Sequence, residues 1–327
     1  MRRSRSIVLS AMLVSLVLPV ASAPVLARDP AAAARDRTIG YWTAERIANA
    51  RPRDFARTPG GQFVPAAGKP PGGGGGKSVI GASWTKGGQV LVTTGKVLFT
   101  LDSGDWICTG TVVTDGIEGR SIVISAAHCA WDGADGGFAR NWTFIPEFDT
   151  TPTYTCSQAK WGCWTASALV VNKGYTSAGG FNTQAVQYDW SFAVITEPGN
   201  KYGSLDGTVG SFAVNTTTMG VGDRVFDFGY PAAGKYHGSD LVYCADQVFN
   251  DVYTANKTFG IDCDMTGGSS GGPWLNPFTE STGVGTVRAV TSYGYSGVRR
   301  LYASKFNLNT ANTFGAAKNA TDDTIVD

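Results

Sequence analysis

The sequence is poor in charge and in histidine, and each shortage excludes a class of protein. Charged residues make up 16% of the 327 positions, and together with 43 glycines and 12 tyrosines this favours strands and turns over a helical bundle. Only two histidines occur, and neither lies in a multi-cysteine cluster with ligand spacing, so we predict no zinc site and no cofactor. No stretch after the N-terminal region approaches ~20 uninterrupted apolar residues, which argues against a membrane span in the mature protein.

The first 27 residues have the three parts of a secretory signal peptide. Basic residues Arg2, Arg3 and Arg5 precede an apolar run from Ile7 to Val20, and small residues follow up to Ala27. We therefore predict a signal peptide over 1–27 and a secreted, extracellular protein.

Residues 28–77 are predicted to form a basic propeptide that ends in a glycine-rich linker. They contain nine basic and four acidic residues, a net charge of +5, whereas the chain from Ser78 onward carries 15 basic and 22 acidic residues, a net charge of −7. The run from Lys69 to Lys77 holds two prolines and five consecutive glycines, which favours a flexible linker. A basic segment suits docking on an acidic domain in a zymogen, although a disordered extension fits the composition equally well.

The six cysteines all follow residue 100, and their even number indicates three disulfides in an exported protein. Proximity in sequence favours three pairs: Cys108 with Cys129, Cys156 with Cys163, and Cys244 with Cys263. The negative charge of the region from Ser78 onward gives no support for nucleic-acid binding. Loop carboxylates such as Asp132 and Asp135 are better explained as solvated acids than as calcium ligands, so no metal is predicted.

Short β-rich runs separated by Gly, Asp and Asn predict an all-β fold, either a barrel or a sandwich. The runs are Gln89 to Val92, Lys96 to Leu101, Thr109 to Val113, Ser121 to Ser125, Ser167 to Val171, Ser191 to Thr196, Arg224 to Gly229 and Arg288 to Ser292. A helix is predicted near Leu301 to Ala317.

Three separate segments supply the groups of a nucleophilic hydrolase. A glycine-rich turn over 267–273 contains Ser270 and can bring backbone N–H groups close to a reacting carbonyl. His128 follows a β run and precedes a cysteine, which offers a fixed base for a hydroxyl nucleophile. Asp189 begins an apolar strand and supplies a carboxylate that can orient the base.

These segments resemble, in the same order, the histidine, aspartate and serine motifs of chymotrypsin-like (trypsin-like) serine peptidases. The resemblance covers about residues 79–315 and implies two six-stranded Greek-key β-barrels, about 79–200 and about 201–315, within a peptidase domain over 78–327. The active site would lie between the barrels, and a short helix would follow at the C-terminus. It implies His128 as base, Asp189 as its orienting acid, Ser270 as nucleophile, and an oxyanion hole built from the N–H groups of Gly268 and Ser270.

Alternative assignments remain at some positions. Ser269 is a second candidate nucleophile, although the Gly-Gly-Pro that follows Ser270 favours Ser270. His237 has no motif around it and is predicted to be an exposed loop residue. Gly268 to Gly272 also satisfies the nucleophile-elbow pattern of α/β-hydrolases, but no histidine follows His237, as that fold requires. A catalytically silent homologue acting as a binding module is the other alternative.

Two departures from the trypsin pattern point to a secreted microbial branch resembling glutamyl endopeptidases. Ser269 stands where many members have an acid, so Val79-Ile80-Gly81 would lack the usual partner for an inserted N-terminus.

Asp264 lies at the offset of a trypsin-type pocket acid, and Ser292, Tyr293 and Gly294 resemble the segment that pairs with the substrate backbone. No histidine occupies a pocket position, which argues against strict glutamyl specificity. We expect a monomer that acts on proteins or peptides and has its own propeptide as a partner.

Overall fold

The computed structural model describes residues 29–65, 78–148, 155–195 and 203–327. The predicted signal peptide and the glycine-rich linker lie outside the described residues. Within these ranges, no helix is both long enough and apolar enough to cross a bilayer.

The segment before residue 66 has regular structure. It contains α1 (Pro30–Tyr41), α2 (Ala44–Asn49), β1 (Arg51–Pro52), β2 (Phe55–Arg57) and β3 (Phe63–Pro65). Each helix begins at a side-chain cap: Asp29 accepts a hydrogen bond from the N–H of Ala31, and Thr43 accepts one from the N–H of Arg46. Such caps satisfy N–H groups that a helix leaves unpaired at its start.

Six antiparallel strands close into a barrel in the first half of the chain. They are β5 (Thr94–Leu101), β6 (Gly104–Val113), β7 (Ile122–Ser125), β10 (Arg140–Pro146), β11 (Trp164–Asn172) and β12 (Ser191–Ile195). The strand order is β6-β5-β10-β11-β12-β7, and β7 pairs back with β6. Every residue of β7 and β12 is buried, because the second sheet and the C-terminal helix cover the outer face of these strands.

A second set of six antiparallel strands curls into an open barrel. They are β14 (Arg224–Gly229), β15 (Val242–Gln247), β17 (Thr258–Asp262), β18 (Pro273–Thr279), β19 (Val284–Tyr295) and β20 (Arg300–Ser304), in the order β17-β20-β19-β18-β14-β15. Among the described residues no strand pairing joins β15 to β17. The disulfide between Cys244 and Cys263 and a 3.1 Å hydrogen bond from the N–H of Asp262 to Asp246 Oδ2 bridge this seam instead.

The remaining elements are short and connect or cover the two barrels. They are β4 (Val79–Ser83), β8 (Trp131–Asp132), β9 (Gly137–Phe138), β13 (Ala213–Val214), β16 (Phe249–Asn250), β21 (Thr324–Val326), α3 (Gln89–Thr93), α4 (Lys173–Thr176), α5 (Leu205–Val209) and α6 (Leu308–Ala317). Three 3₁₀ turns lie at Ala127–Cys129, Ala185–Gln187 and Val252–Thr254.

The chain crosses between the barrels at both ends, which differs from the predicted limits. Strand β4 pairs with β15 of the second barrel, although residues 79–83 were expected in the first. Strand β21 pairs with β11, and α6 packs on β11 and β12, so the C-terminal residues return to the first barrel. Two local predictions are also wrong: residues 89–92 form α3 rather than a strand, and residues 301–304 belong to β20 rather than to the helix.

All six cysteines form disulfides, in the pairs that proximity in sequence favoured. The pair Cys108–Cys129 ties β6 to the 3₁₀ turn that carries His128. A hydrophobic cluster joins the two barrels, with Ile124 and Phe192 from the first packed together with Phe228 and Leu275 from the second. Full burial of such a side chain contributes about 1.5–3 kcal/mol to the free energy of unfolding. This packing holds the two barrels in a fixed arrangement, and with them the loops that lie between the barrels.

Candidate active site

The His128 and Asp189 side chains form a buried pair between the barrels. His128 Nδ1 lies 2.8 Å from Asp189 Oδ2, and the backbone N–H of His128 donates to Asp189 Oδ1 over 2.9 Å. Both residues are fully buried. Because a carboxylate only accepts hydrogen bonds, this contact places the proton of the imidazole on Nδ1 and directs Nε2 away from Asp189.

Hydroxyl groups from the second barrel hold Asp189 in position. Ser292 Oγ donates to Asp189 Oδ2 over 2.5 Å, and the N–H of Asp189 donates to Ser304 Oγ over 3.0 Å. Burial raises the pKa of the nearby Tyr175 well above its ordinary value, and the negative charge of Asp189 adds to the effect, so this phenol stays neutral. The acid is therefore surrounded by fixed dipoles contributed by both barrels.

The turn that carries Ser270 needs its glycines for steric reasons. Gly268 and Gly271 have φ values of +100° and +82°, a region that side chains disfavour. A Cβ atom on Gly271 would lie 2.1 Å from Ser125 Oγ, and one on Gly272 would lie 1.9 Å from the carbonyl oxygen of Phe228. Atoms of both barrels can approach the turn this closely only because these side chains are absent.

Ser269 and Ser270 have different surroundings within this turn. Ser269 Oγ donates to the carbonyl oxygen of Thr266 over 2.8 Å, so its hydroxyl is used inside the turn. Ser270 Oγ donates over 3.2 Å to Asp54 Oδ1 in the segment before β2. Among the described residues, no backbone carbonyl accepts from the N–H of Gly268 or of Ser270.

Residues of the N-terminal segment contact both His128 and Ser270. His128 Nε2 is 3.3 Å from the carbonyl oxygen of Arg53, the residue next to Asp54. Within the described part of the chain, no hydrogen bond joins His128 to Ser270 directly. The two candidate catalytic groups thus contact adjacent residues, Arg53 and Asp54, and each lies within about 3.3 Å of this dipeptide.

Solved structures that resemble this chain include three proteases. The chain is 32% identical to the protease Anisep from Arthrobacter nicotinovorans, with a TM-score of 0.62 and coverage of 74% of this chain and 100% of that one. It is 29% identical to the thermostable serine protease AL20 from an extremophilic microorganism, with a TM-score of 0.59 and coverage of 71% and 99%. A Glu endopeptidase shares the fold at 18% identity, with a TM-score of 0.55 and coverage of 74% and 97%.

This chain belongs to the chymotrypsin-like serine proteases. It is a hydrolase of peptide bonds and resembles glutamyl endopeptidases in fold. No protein-family model matches the sequence, and no curated protein matches it either.

Asp264, the predicted pocket acid of the protease, is already paired inside the fold. Asp264 Oδ2 lies 2.8 Å from Lys235 Nζ, and Tyr236 donates its phenolic proton to Asp264 Oδ1 over 2.5 Å. Burial and this hydrogen bond raise the pKa of Tyr236. His237 is exposed and lines a cavity of about 240 Å³ next to these residues. Lys235 neutralises the charge of Asp264, so a basic substrate side chain would have to compete with Lys235 for this carboxylate.

The predicted substrate-pairing segment lies on β19 and already has partners. Ser292 holds Asp189, and the buried Tyr293 donates its hydroxyl to Asp251 Oδ2 over 2.6 Å. Gly294 pairs in parallel with Ala56 of β2. The backbone edge of this predicted segment is therefore paired with the N-terminal segment.

Among the described residues, the side chains that could bind a metal do not form a usable set of ligands. Within the described ranges, one group of three metal-capable residues occurs, His128 with Cys108 and Cys129, and its two sulfurs are joined in a disulfide. Asp132 differs from the solvated acid predicted for it: it is buried, accepts from the N–H of Ala134, and lies 3.7 Å from the guanidinium of Arg53. Asp135 is exposed, as predicted.

Sequence reasoning missed the residues that surround the candidate triad. The motifs gave no signal for Ser292 and Ser304 as partners of Asp189, because hydroxyl donors are common in every strand. Asp54 and Phe55 were also missed, because no motif marks them within the N-terminal segment. Their roles depend on contacts that span more than a hundred residues of chain.

Proposed function

We propose that this serine protease is an exported endopeptidase that cleaves internal peptide bonds of proteins or peptides through an acyl-enzyme, with Ser270, His128 and Asp189 as its triad. The observation that carries the proposal is the buried contact of 2.8 Å between His128 Nδ1 and Asp189 Oδ2, together with the contacts of His128 Nε2 with Arg53 and of Ser270 Oγ with the adjacent Asp54. No metal or cofactor takes part in the proposed reaction.

The chemistry follows from the proton positions. Once the cleft is open, His128 Nε2 accepts the proton of Ser270 Oγ as this oxygen adds to the substrate carbonyl, and Asp189 stabilises the imidazolium that forms. His128 then gives that proton to the leaving amine, and the acyl group stays on Ser270. A water molecule then adds to the acyl carbonyl while His128 accepts one of its protons. The bond between the acyl group and Ser270 Oγ breaks, the carboxylic acid product leaves, and His128 returns the proton to Ser270.

The N–H groups of Gly268 and Ser270 are proposed to stabilise the tetrahedral oxyanion. Loss of one such donor typically costs about 2.7–4 kcal/mol of transition-state stabilisation. The positive φ of Gly268 and its close approach to the carbonyl oxygen of Tyr230, 2.6 Å from a hypothetical Cβ, leave no room for another residue there.

Export and maturation are part of the same proposal. Residues 1–27 act as the signal peptide, and residues 28–77 form a propeptide that keeps the enzyme as a zymogen. The three disulfides suit an oxidising extracellular compartment. The mature enzyme, from about Ser78, is proposed to work as a monomer.

The adjacent serines allow a matched test. In purified, matured enzyme, Ser270→Ala should lower peptide hydrolysis by roughly 10⁴- to 10⁶-fold, because the nucleophile is lost. Ser269→Ala removes a hydroxyl one residue away that bonds only within the turn, so it should retain most of the activity. Labelling of the wild type with a fluorophosphonate, followed by peptide mapping, should identify Ser270.

Equal activity of Ser270→Ala and the wild type, or labelling at Ser269, would contradict the triad assignment. Thermal unfolding of each variant, with the disulfides intact, separates loss of chemistry from loss of fold. A folded protein that the fluorophosphonate does not label and that cleaves no peptide would instead support the silent binding module.

A further inference from the structure

Charged and apolar contacts anchor the segment Asp29–Pro65 on the first barrel. The indole of Trp42 is buried and donates to the carbonyl oxygen of Asn141 over 2.7 Å. Tyr41 and Arg46 both donate to the carboxylate of Asp105, over 2.7 Å and 2.8 Å. These contacts lie outside the catalytic cleft, so they tether the segment without depending on what it does there.

Within the cleft, three consecutive residues of the segment contact the candidate catalytic groups. Asp54, which is 7% exposed, accepts the hydrogen bond of Ser270 Oγ. The carbonyl oxygen of Arg53 faces His128 Nε2. The ring of Phe55 stands edge-on to the imidazole, with 5.5 Å between centroids, and stacks on Phe181 at 4.0 Å.

The partners of His128 in this arrangement are all acceptors. Nδ1 faces the Asp189 carboxylate and Nε2 faces a carbonyl oxygen, neither of which can donate. The carbonyl oxygen of Arg53 therefore occupies the position at Nε2 that the Ser270 hydroxyl would need, and this hydroxyl donates to Asp54 instead.

The direction of the segment is set by two parallel pairings. Strand β1 runs parallel to β6, with Arg51 opposite Trp106, and the N–H of Arg53 donates to the carbonyl oxygen of Ile107 over 3.0 Å. Strand β2 runs parallel to β19, with Ala56 opposite Gly294. The segment therefore passes from β6, across His128 and Ser270, to β19.

A substrate must run the other way. Its leaving amine has to lie on the His128 side, because that ring returns the proton, and His128 is tied to β6 through Cys108–Cys129. Its acyl part then lies on the opposite side, along β19. Substrate thus extends from β19 toward β6, opposite to the direction of residues 51–57.

We propose that the segment Asp29–Pro65 is a self-inhibitor bound in the cleft with reversed chain direction, in which Asp54 holds Ser270 and which the enzyme cannot cut. This proposal rests on the triad assignment of the preceding subsection. The reversed chain presents a carboxylate, not a scissile carbonyl, to Ser270 Oγ. The contacts given above are made by residues 41–57, so a cut within 66–77 severs none of them and leaves the inhibitor in place as a bound partner.

The test compares three forms of the full chain that carry a recognition site for an added protease within 66–77. They are the uncut chain, the nicked chain, and the nicked chain after the N-terminal fragment has been removed by chromatography in mild urea. A fluorescent fluorophosphonate should label Ser270 at least roughly 100-fold more slowly in the uncut and nicked forms than after removal of the fragment. Mass spectrometry of the nicked form should show residues 51–57 intact after long incubation.

Asp54→Ala gives the residue-level test, with Asp36→Ala as a control that removes the same charge from the exposed part of α1. Loss of a hydrogen bond to a charged acceptor should speed labelling of the nicked form by roughly 10- to 100-fold in Asp54→Ala and leave Asp36→Ala at the wild-type rate. The comparison of wild-type forms stands without either variant, should Asp54→Ala fold poorly.

Two results would overturn the proposal while leaving the triad intact. One is labelling of the nicked wild type as fast as that of the enzyme freed from the fragment. The other is a cut within 51–57 that disappears in Ser270→Ala, since it would mean that the segment binds in the direction of a substrate. If the freed enzyme neither reacts with the probe nor cleaves peptides, the triad assignment itself fails, and the inhibitor proposal fails with it.

Discussion

Lys96 on β5 is a buried cation with unusually few polar partners, and its replacement should change how stability depends on pH. The side chain is 5% exposed, Nζ donates to the carbonyl oxygen of Gly238 over 2.6 Å, and the ammonium lies 3.7 Å from the ring centroid of Phe148. Burial lowers the pKa of Lys96 from 10.5 to about 7. The folded protein therefore binds fewer protons than the unfolded chain between about pH 7 and pH 10.5.

The magnitude follows from that difference in pKa. At 1.36 kcal/mol for each pH unit, the buried ammonium costs the folded state about 5 kcal/mol below pH 7, and the cost falls to about 1 kcal/mol at pH 9.5. Lys96→Met removes this cost but leaves the carbonyl of Gly238 without its donor, a loss of about 1–3 kcal/mol. The variant should thus be more stable than the wild type by about 2–4 kcal/mol at pH 6, and this advantage should shrink by about 3 kcal/mol by pH 9.5.

The assay is urea unfolding followed by tryptophan fluorescence, in a Ser270→Ala background that prevents self-digestion. Lys96→Met and the parent are compared at several pH values from 6 to 9.5, with Lys257→Met, a change on an exposed turn, as the control. A stability difference between Lys96→Met and its parent that stays constant across this range would refute the reasoning, because it would mean that Lys96 gains no proton on unfolding.

Three further predictions concern the site and its frame. Ser292→Ala should lower kcat roughly 10- to 100-fold with little change in KM, because Asp189 loses a hydrogen bond that orients the base; a rise in KM alone would contradict this role. Gly271→Ala should prevent accumulation of folded protein, since its Cβ would overlap Ser125 Oγ; normal yield and activity would show that the turn can relax. Replacing Cys244 and Cys263 with serine together should reduce the free energy of unfolding by about 3 kcal/mol, as for a closed loop of similar length, and an unchanged urea midpoint would mean that the seam needs no covalent bridge.

The motifs around His128, Asp189 and Ser270 were visible in the sequence because each depends on short-range chemistry. Each group can be recognised from its immediate neighbours in the sequence. The base precedes a disulfide cysteine, the acid precedes an apolar strand, and the serine lies among glycines. The fold class followed in the same way, since alternating short β runs and turns carry the all-β pattern. Proximity in sequence also favoured the cysteine pairs, because each closes a short loop.

Local pattern failed where a short apolar run suits both helix and strand. Gln89–Val92 has strand-like composition but forms α3, because Gly87 and Gly88 with positive φ turn the chain just before it. Leu301–Ser304 was taken as the start of a helix, yet it pairs with β17 as a strand. The N–H groups of Gln89 and Val90 also donate to the carbonyl oxygens of Thr282 and Gly283, so both segments depend on backbone partners distant in sequence.

The sequence by itself determined the type of fold and the three groups of the candidate triad, because these depend on residues close together in the chain. Only the tertiary structure decided what surrounds them. The pairing of Asp264 with Lys235, the hydroxyls that hold Asp189, and the reversed course of residues 51–57 through the cleft all join segments separated by tens to hundreds of residues. Such contacts are set by how the barrels pack and which backbone edges they leave open, and neither quantity is encoded in any local run of residues.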